Sequence, residues 1–239
     1  MCGRFTLRTK VALLAKMFEF VFDGDWPPRW NIAPTQPVLA VRTREDGTRE
    51  GARLQWGLIP FWSKDGKMAA SMINARAETV SEKPAFRVAF RRRRCLIPAD
   101  GFFEWQRVGT KKVPHLISLR SEEPFAFAGL WERWVSPVGE AIESCTVVTT
   151  TPNELMATIH DRMPVIVRPA DYGVWLGRQL DDVLAWSSLL VPYPADEMQA
   201  ELVSDIISNA RNEVDPRLTD SSAALRPSVQ RGLFDGAGE

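Results

Sequence analysis

Histidine and cysteine are scarce. Two histidines, His115 and His160, and three cysteines, Cys2, Cys95 and Cys145, occur in 239 residues. An odd cysteine count with no Cys-x-x-Cys argues against a disulfide framework and, with so few histidines, against a zinc site. The expectation is a protein with no metal and no cofactor, kept in a reducing compartment. An excess of either charge is also missing, since 30 Lys and Arg balance 30 Asp and Glu. No global field draws the chain to nucleic acid or to an anionic membrane, so any DNA contact must come from a local patch. No apolar run is long enough to span a bilayer. The short run after Lys10 is bracketed by charges and does not read as a signal peptide. The expected location is therefore the cytoplasm, or a nucleus, with no membrane partner.

What is present is an ordinary globular composition, 45% hydrophobic and 25% charged, with nine tryptophans, many beside Gly or Pro. Short apolar segments separated by turn residues predict many strands and few helices. Lys10 to Phe20 has helical spacing at Val11, Leu14, Met17 and Phe18. Trp30 to Thr35 reads as a rigid turn before a strand at Val38 to Arg42, and Glu45 to Thr48 as a hairpin turn. Leu54 to Pro60 reads as a strand, and Ser81 starts a short helix through Phe90. Cys95 to Trp105 reads as strand, Asp-Gly turn, strand. Further strands are expected at Pro114 to Leu119, Phe125 to Trp131, Cys145 to Thr150, Val165 to Val167 and Val203 to Ile207. Asn153 is placed to cap a helix toward His160, and Ala170 to Leu176 and Asp181 to Leu190 look helical. No βαβ alternation and no repeat is seen. The fold class is α+β: one domain with a mainly antiparallel, barrel-like β core and peripheral helices, over residues 1–214. Residues 215–239, rich in Ser, Asp, Gly, Pro and Arg, read as a disordered tail.

The unusual stretch is Met1-Cys2-Gly3-Arg4. With Met1 removed, Cys2 carries an α-amine and a thiol on adjacent carbons, titrating near ~8 and ~8.5. The amine can form a Schiff base with an aldehyde, and the thiolate can close a thiazolidine on the imine carbon. The plain alternative is an ordinary buried cysteine. A reagent of this kind needs proton shuttles and groups that hold its substrate. Glu104, in Gly-Phe-Phe-Glu-Trp, is a carboxylate among aromatics, whose desolvation would raise its pKa. His160 is balanced between structural and functional readings, and His115 reads as structural. Asn74 and Arg76 flank Ala75 in a loop-like segment. Their two readings are an orienting amide with a phosphate-binding guanidinium, or a cap with a solvated Arg. Arg4, Arg76 and Arg162 each flank one of these candidates and would form a phosphate-binding surface if they converge. Trp56, Pro60, Phe61 and Trp62 are candidates to stack or wedge against bases, against the simpler reading as core aromatics. Arg91 to Arg94 reads as a solvated strand edge with a minor, non-specific role.

Six segments together resemble the SOS response-associated peptidase family, the SRAP domain, whose members crosslink abasic sites in single-stranded DNA. They are Met1 to Phe5, Trp30 to Thr35, Trp56 to Pro60, Asn74 to Thr79, Cys95 to Trp105 and Ile159 to Pro164. Each alone is weak; six in this order, spanning Cys2 to about Asn212, are specific. The resemblance implies that mature Cys2 captures the ring-opened aldehyde of an abasic site as a stable thiazolidine. It implies that Asn74, Glu104 and His160 surround that linkage, and that Arg4, Arg76 and Arg162 hold flanking phosphates. It also implies self-removal of Met1. The expected partner is single-stranded DNA containing abasic sites, bound by a monomer that joins the nucleoid with its DNA. Two other classes stay open: a hydrolase with an N-terminal cysteine nucleophile, and a non-covalent single-strand binding module.

Overall fold

β-branched and aromatic residues recur along most of the chain, and the backbone follows their preference for extended structure. The computed structural model describes residues 2–177 and 182–217. In chain order its first strands are β1 (Phe5–Leu7), β2 (Arg29–Ile32), β3 (Pro37–Thr43), β4 (Arg49–Trp56), β5 (Asn74–Arg76), β6 (Arg94–Ala99) and β7 (Gly101–Val108). They continue with β8 (Lys111–Leu119), β9 (Phe125–Val135), β10 (Ala141–Thr150), β11 (Met163–Pro164), β12 (Ile166–Val167) and β13 (Met198–Leu202). The helices are short: α1 (Val11–Phe18), α2 (Arg87–Arg92), α3 (Glu154–Ala157), α4 (Tyr172–Leu176) and α5 (Val183–Ser188). None is long and apolar enough to cross a membrane.

Two sheets share one core. The larger sheet runs β11-β10-β4-β3-β6-β9-β12, and a further β9–β10 pairing closes β10, β4, β3, β6 and β9 into a ring. Closure removes edge strands from the middle of the molecule. The smaller sheet has the order β13-β8-β7-β1-β2. Aromatic rings fill the space between them, with Phe5 edge-on to Trp56 at 5.2 Å and to Phe127 at 5.7 Å. The α+β, mainly antiparallel, barrel-like architecture expected from the sequence is the one observed.

Local departures have physical causes. Trp30-Asn31-Ile32 is strand rather than turn, because β2 pairs antiparallel with β1 (Phe5↔Ile32). Asn74-Ala75-Arg76 is also strand, held parallel to β10 through Val147↔Asn74 and Thr149↔Arg76. A parallel partner 73 residues away leaves no local sequence signal. Asp100-Gly101 does not close a hairpin: β6 pairs β3 and β9, whereas β7 pairs β1 and β8, so the chain changes sheet there. The Asp100 side chain secures that corner by accepting from Thr9 Oγ1 at 2.6 Å and Thr9 N at 3.0 Å. The strand expected at Val203 to Ile207 lies earlier, as β13, and Asp205–Ser208 is a single 3-10 turn. The helix expected from Ser81 forms late, at α2, after a run of turns. The arginine run is not a solvated strand edge throughout, since Arg91 and Arg92 end α2 while Arg94 opens β6 and is buried. Asn153 does cap α3, its side chain accepting from Met156 N at 2.8 Å. Gly57 ends β4 at φ +129°, where a Cβ would stand 2.5 Å from Ala69 O, so only glycine fits. Residues 218–239, most of the expected tail, lie outside the described residues.

Candidate active site around Cys2

Strand pairing brings the amino terminus to Glu104. β1 runs antiparallel to β7 (Phe5↔Phe102, Thr6↔Gly101), and Phe103 N donates to Arg4 O at 2.9 Å. Residues 2–4 therefore extend alongside Phe103 and Glu104. From the other side, Asn74 Nδ2 donates to Cys2 O at 2.9 Å. Asn74 Oδ1 is buried with no hydrogen-bond partner among the described residues. β5 presents Asn74 and Arg76 outward around a buried Ala75, the two-residue period of a strand. The same register sets Arg76 against Thr149, and Thr150↔Met163 in β10 and β11 brings the His160 to Arg162 turn to that end of β10. Four chain segments distant in sequence thus meet at Cys2.

A cleft of about 650 Å³ opens beside them, lined by Glu104, Trp105, Arg107, Lys112, Ile159, His160, Asp161 and Ser208. Glu104 is 4% exposed. Burial pushes its carboxyl up to about 7, while the positive amino terminus works against that. Its proton is therefore exchangeable at neutral pH, as acid–base chemistry requires. Burial also pushes the Cys2 thiol well above its usual range, and the nearby Glu104 charge adds to the effect. His160 is held below its usual value, chiefly by burial. The backbone N–H of Arg162 donates to His160 Nδ1 at 3.1 Å, which leaves the proton of the neutral ring on Nε2. Asp161 Oδ1 stands 2.9 Å from the same Nδ1 and favours the opposite state. The fixed backbone donor prevails, because the Asp161 side chain is 88% exposed and can turn into water.

The arginines differ in what they have free. Arg76 is exposed and makes no ion pair among the described residues. Arg162 Nη1 and Nη2 donate to Glu78 Oε1 and Oε2 at 2.5 and 3.0 Å, and Nη2 also donates to Thr149 O at 2.7 Å. Arg4 Nη1 donates to Asn31 Oδ1 and to Ile207 O, both at 2.6 Å. Buried Asn31 donates in turn to the carbonyls of Ile207, Asn209 and Asn212, so Arg4 and Asn31 strap residues 207–212 beside the amino terminus. The four aromatic-segment candidates separate. Trp56 is fully buried, its indole donating to Ile73 O at 2.9 Å, and Pro60 is buried too, so neither can meet a base. Phe61 and Trp62 are half exposed, but on a turn where Ser63 O accepts from Trp134 Nε1, outside the Glu104 and His160 cleft. His115 is buried on β8, cross-strand from Glu104, with Nδ1 3.0 Å from Val113 O, in keeping with a structural role.

Sequence reasoning missed Trp105, Arg107, Lys112 and Ser208 in the cleft wall and Glu78 on Arg162. Trp105 and Glu78 lie inside the segments singled out, and their proximity was the available signal. Arg107 and Lys112 pair across the β7–β8 hairpin, and Ser208 belongs to the strapped segment; neither placement is legible locally. Among the described residues, no three His, Cys, Asp or Glu side chains gather as a metal site would need.

The buried carboxyl has a measurable cost. A carboxyl whose folded pKa is raised leaves the fold most favoured at low pH, and stability is lost as pH rises from the unfolded value near ~4.3 to the folded one near 7. Glu104→Gln removes that loss. Its stability relative to wild type is expected to grow by about 2 kcal/mol between pH 5 and pH 8. Thermal melts at the two pH values check this, and a constant difference would show that Glu104 titrates normally.

The profile of the SOS response associated peptidase (SRAP) family matches residues 1–210. The chain is 46% identical over 225 residues to the "Abasic site processing protein YoqW" of Bacillus subtilis, covering 92% of this chain and all of that one. It is 31% identical to the "Abasic site processing protein HMCES" of Xenopus tropicalis, over 80% of this chain and 66% of the relative. A crystal structure of a Bacteroides thetaiotaomicron protein superposes with a TM-score of 0.82 at 28% identity, covering 92% of this chain and all of that one. The chain belongs to the SOS response associated peptidase family.

Proposed function

We propose that this protein captures abasic sites in single-stranded DNA as a covalent thiazolidine on Cys2, after self-removal of Met1. The observation that carries the reading is the buried Glu104 carboxyl, with its pKa near 7, beside Cys2 and sharing a cleft with His160. The names of the relatives, abasic site processing proteins, agree with it.

The chemistry follows from the positions. An abasic deoxyribose is a closed hemiacetal in equilibrium with an aldehyde. His160, protonated on Nε2, donates to the ring oxygen and favours the open form. Glu104 takes a proton from the Cys2 ammonium, and the free amine attacks C1′. One proton of the attacking nitrogen passes to the former aldehyde oxygen, the same carboxyl returns the other, the oxygen leaves as water, and a protonated imine remains. The raised Cys2 thiol keeps the thiolate scarce, so the amine acts first and the sulfur second. Sulfur then bonds to C1′, the C=N π bond breaks, and the thiol proton ends on nitrogen. One water is lost overall, and no oxidant or reductant is needed. An imine left open would invite β-elimination and strand scission; ring closure removes it. Asn74 holds the Cys2 carbonyl through Nδ2, and its Oδ1, without a partner among the described residues, suits an N–H of the amine. Arg76 is poised for a phosphate. Arg162 reaches one only by exchanging Glu78 for it, and Arg4 contributes mainly by holding the strap.

Intact mass spectrometry tests the balance. Protein incubated with an oligonucleotide carrying one abasic site should give a species equal to the Met1-less chain plus oligonucleotide minus one water, formed without reductant. Protein shown by mass to lack Met1 that gives no adduct would overturn the reading.

A further inference from the structure

The arginine run takes part in a second cleft that the chemistry above does not use. This cleft, of about 700 Å³, is walled by Arg42, Arg44, Arg92, Arg93, Arg94 and Arg133, with Trp131 between them. It lies at the other end of β10. Glu143, beside it, and Thr149, beside Arg162, are six residues apart on that strand, about 20 Å at ~3.3 Å per residue.

Its charges do not cancel. Glu50 accepts from Arg42 Nε and Arg44 Nε, both at 2.7 Å. Glu143 accepts from Arg42 Nη1 at 2.9 Å, and Glu132 from Arg93 Nε at 2.9 Å. With Glu45, which also lines the cleft, four carboxylates face six guanidiniums among the described residues. Arg92 and Arg133 are exposed and make no ion pair among the described residues. Arg94 is buried, and among the described residues its guanidinium donates to main-chain carbonyls alone: Nε to Trp175 O at 2.7 Å, Nη1 to Phe90 O at 2.6 Å, and Nη2 to Gly177 O. Burial lowers its pKa to about 10, which still leaves it charged at neutral pH. Its guanidinium also lies over the Trp186 ring at 3.4 Å, so Arg94 adds charge behind the cleft, while the exposed guanidinium forks of Arg92 and Arg133 suit phosphoryl oxygens. A face of Trp131 is already covered by Arg42 at 4.2 Å, so contact through phosphate rather than base stacking fits this cleft.

We propose that this cleft is a second anion site, which binds phosphoryl groups independently of Cys2. The phosphates come either from the DNA strand beyond the active site or from a free polyphosphate ligand. The test is calorimetric titration with tripolyphosphate at low salt. Wild type should bind it, R92E/R133E should bind at least about tenfold more weakly, and R76E, at the Cys2 end, should bind as wild type does. Both Arg92 and Arg133 are exposed, so the double variant should keep its fold, which a melt confirms. It should also keep crosslinking a short abasic oligonucleotide, so this proposal fails or stands apart from the capture chemistry. Weaker binding of an undamaged 30-mer by R92E/R133E would assign the phosphates to DNA. Unchanged 30-mer binding with lost tripolyphosphate binding would assign them to a free ligand. Absence of tripolyphosphate binding in wild type, its persistence in R92E/R133E, or its loss in R76E would overturn the proposal.

Discussion

Cys2→Ala is expected to abolish the band that survives denaturing electrophoresis when the protein meets single-stranded DNA with one abasic site. The loss should be complete, because the sulfur–carbon bond has no substitute. The variant still has an α-amine once Met1 is gone, and Asn74 still holds the same backbone carbonyl. The amine can form the imine but cannot seal it. Two secondary results follow. Borohydride should trap a faint adduct of Cys2→Ala, and without borohydride the variant should nick the strand by β-elimination more than wild type does. An adduct from Cys2→Ala that needs no reductant would place the covalent bond elsewhere. Non-covalent binding lost in high salt, with no adduct from the wild type either, would support the single-strand binding module instead.

Glu104→Gln should have the next largest effect. Loss of a positioned acid–base group costs ~10²–10⁴-fold in rate, and no other carboxyl that lines this cleft is buried. The pH profile separates chemistry from packing. In wild type the carboxylate accumulates above about 7, so the crosslinking rate should fall as pH drops through that value. In Glu104→Gln the inflection near 7 should vanish, while that of the α-amine, near ~8, stays. A merely structural Glu104 would lower the rate equally at every pH. Stopped time courses on denaturing gels from pH 5.5 to 9 give both numbers.

The chemical set of this site is legible in the order of the amino acids. An amino-terminal cysteine, a glutamate between aromatics, and the Asn74-Ala75-Arg76 and His160-Asp161-Arg162 segments all lie at one place in the fold. Local chemistry explains why other features are legible too: the Glu45 to Thr48 hairpin turn, the Asn153 cap and the α1 periodicity involve residues a few positions apart, and they form where their signals lie. Sequence alone also determined the family, through six short segments in order. Burial and long-range pairing decided the rest. Trp56 and Trp62 look equivalent as letters, yet one is sealed beneath Phe5 and the other is exposed, because β4 ends between them at Gly57. The arginine run divides in the same way, with Arg92 on the surface and Arg94 in the core. The parallel β5–β10 pairing, the change of sheet at Asp100 and the strap from Asn31 to residues 207–212 join segments that share no local pattern. Only the pairing of β7 with β1 and β8 sets Glu104 out of water beside Cys2, and desolvation there turns an ordinary carboxyl into one that exchanges its proton near pH 7.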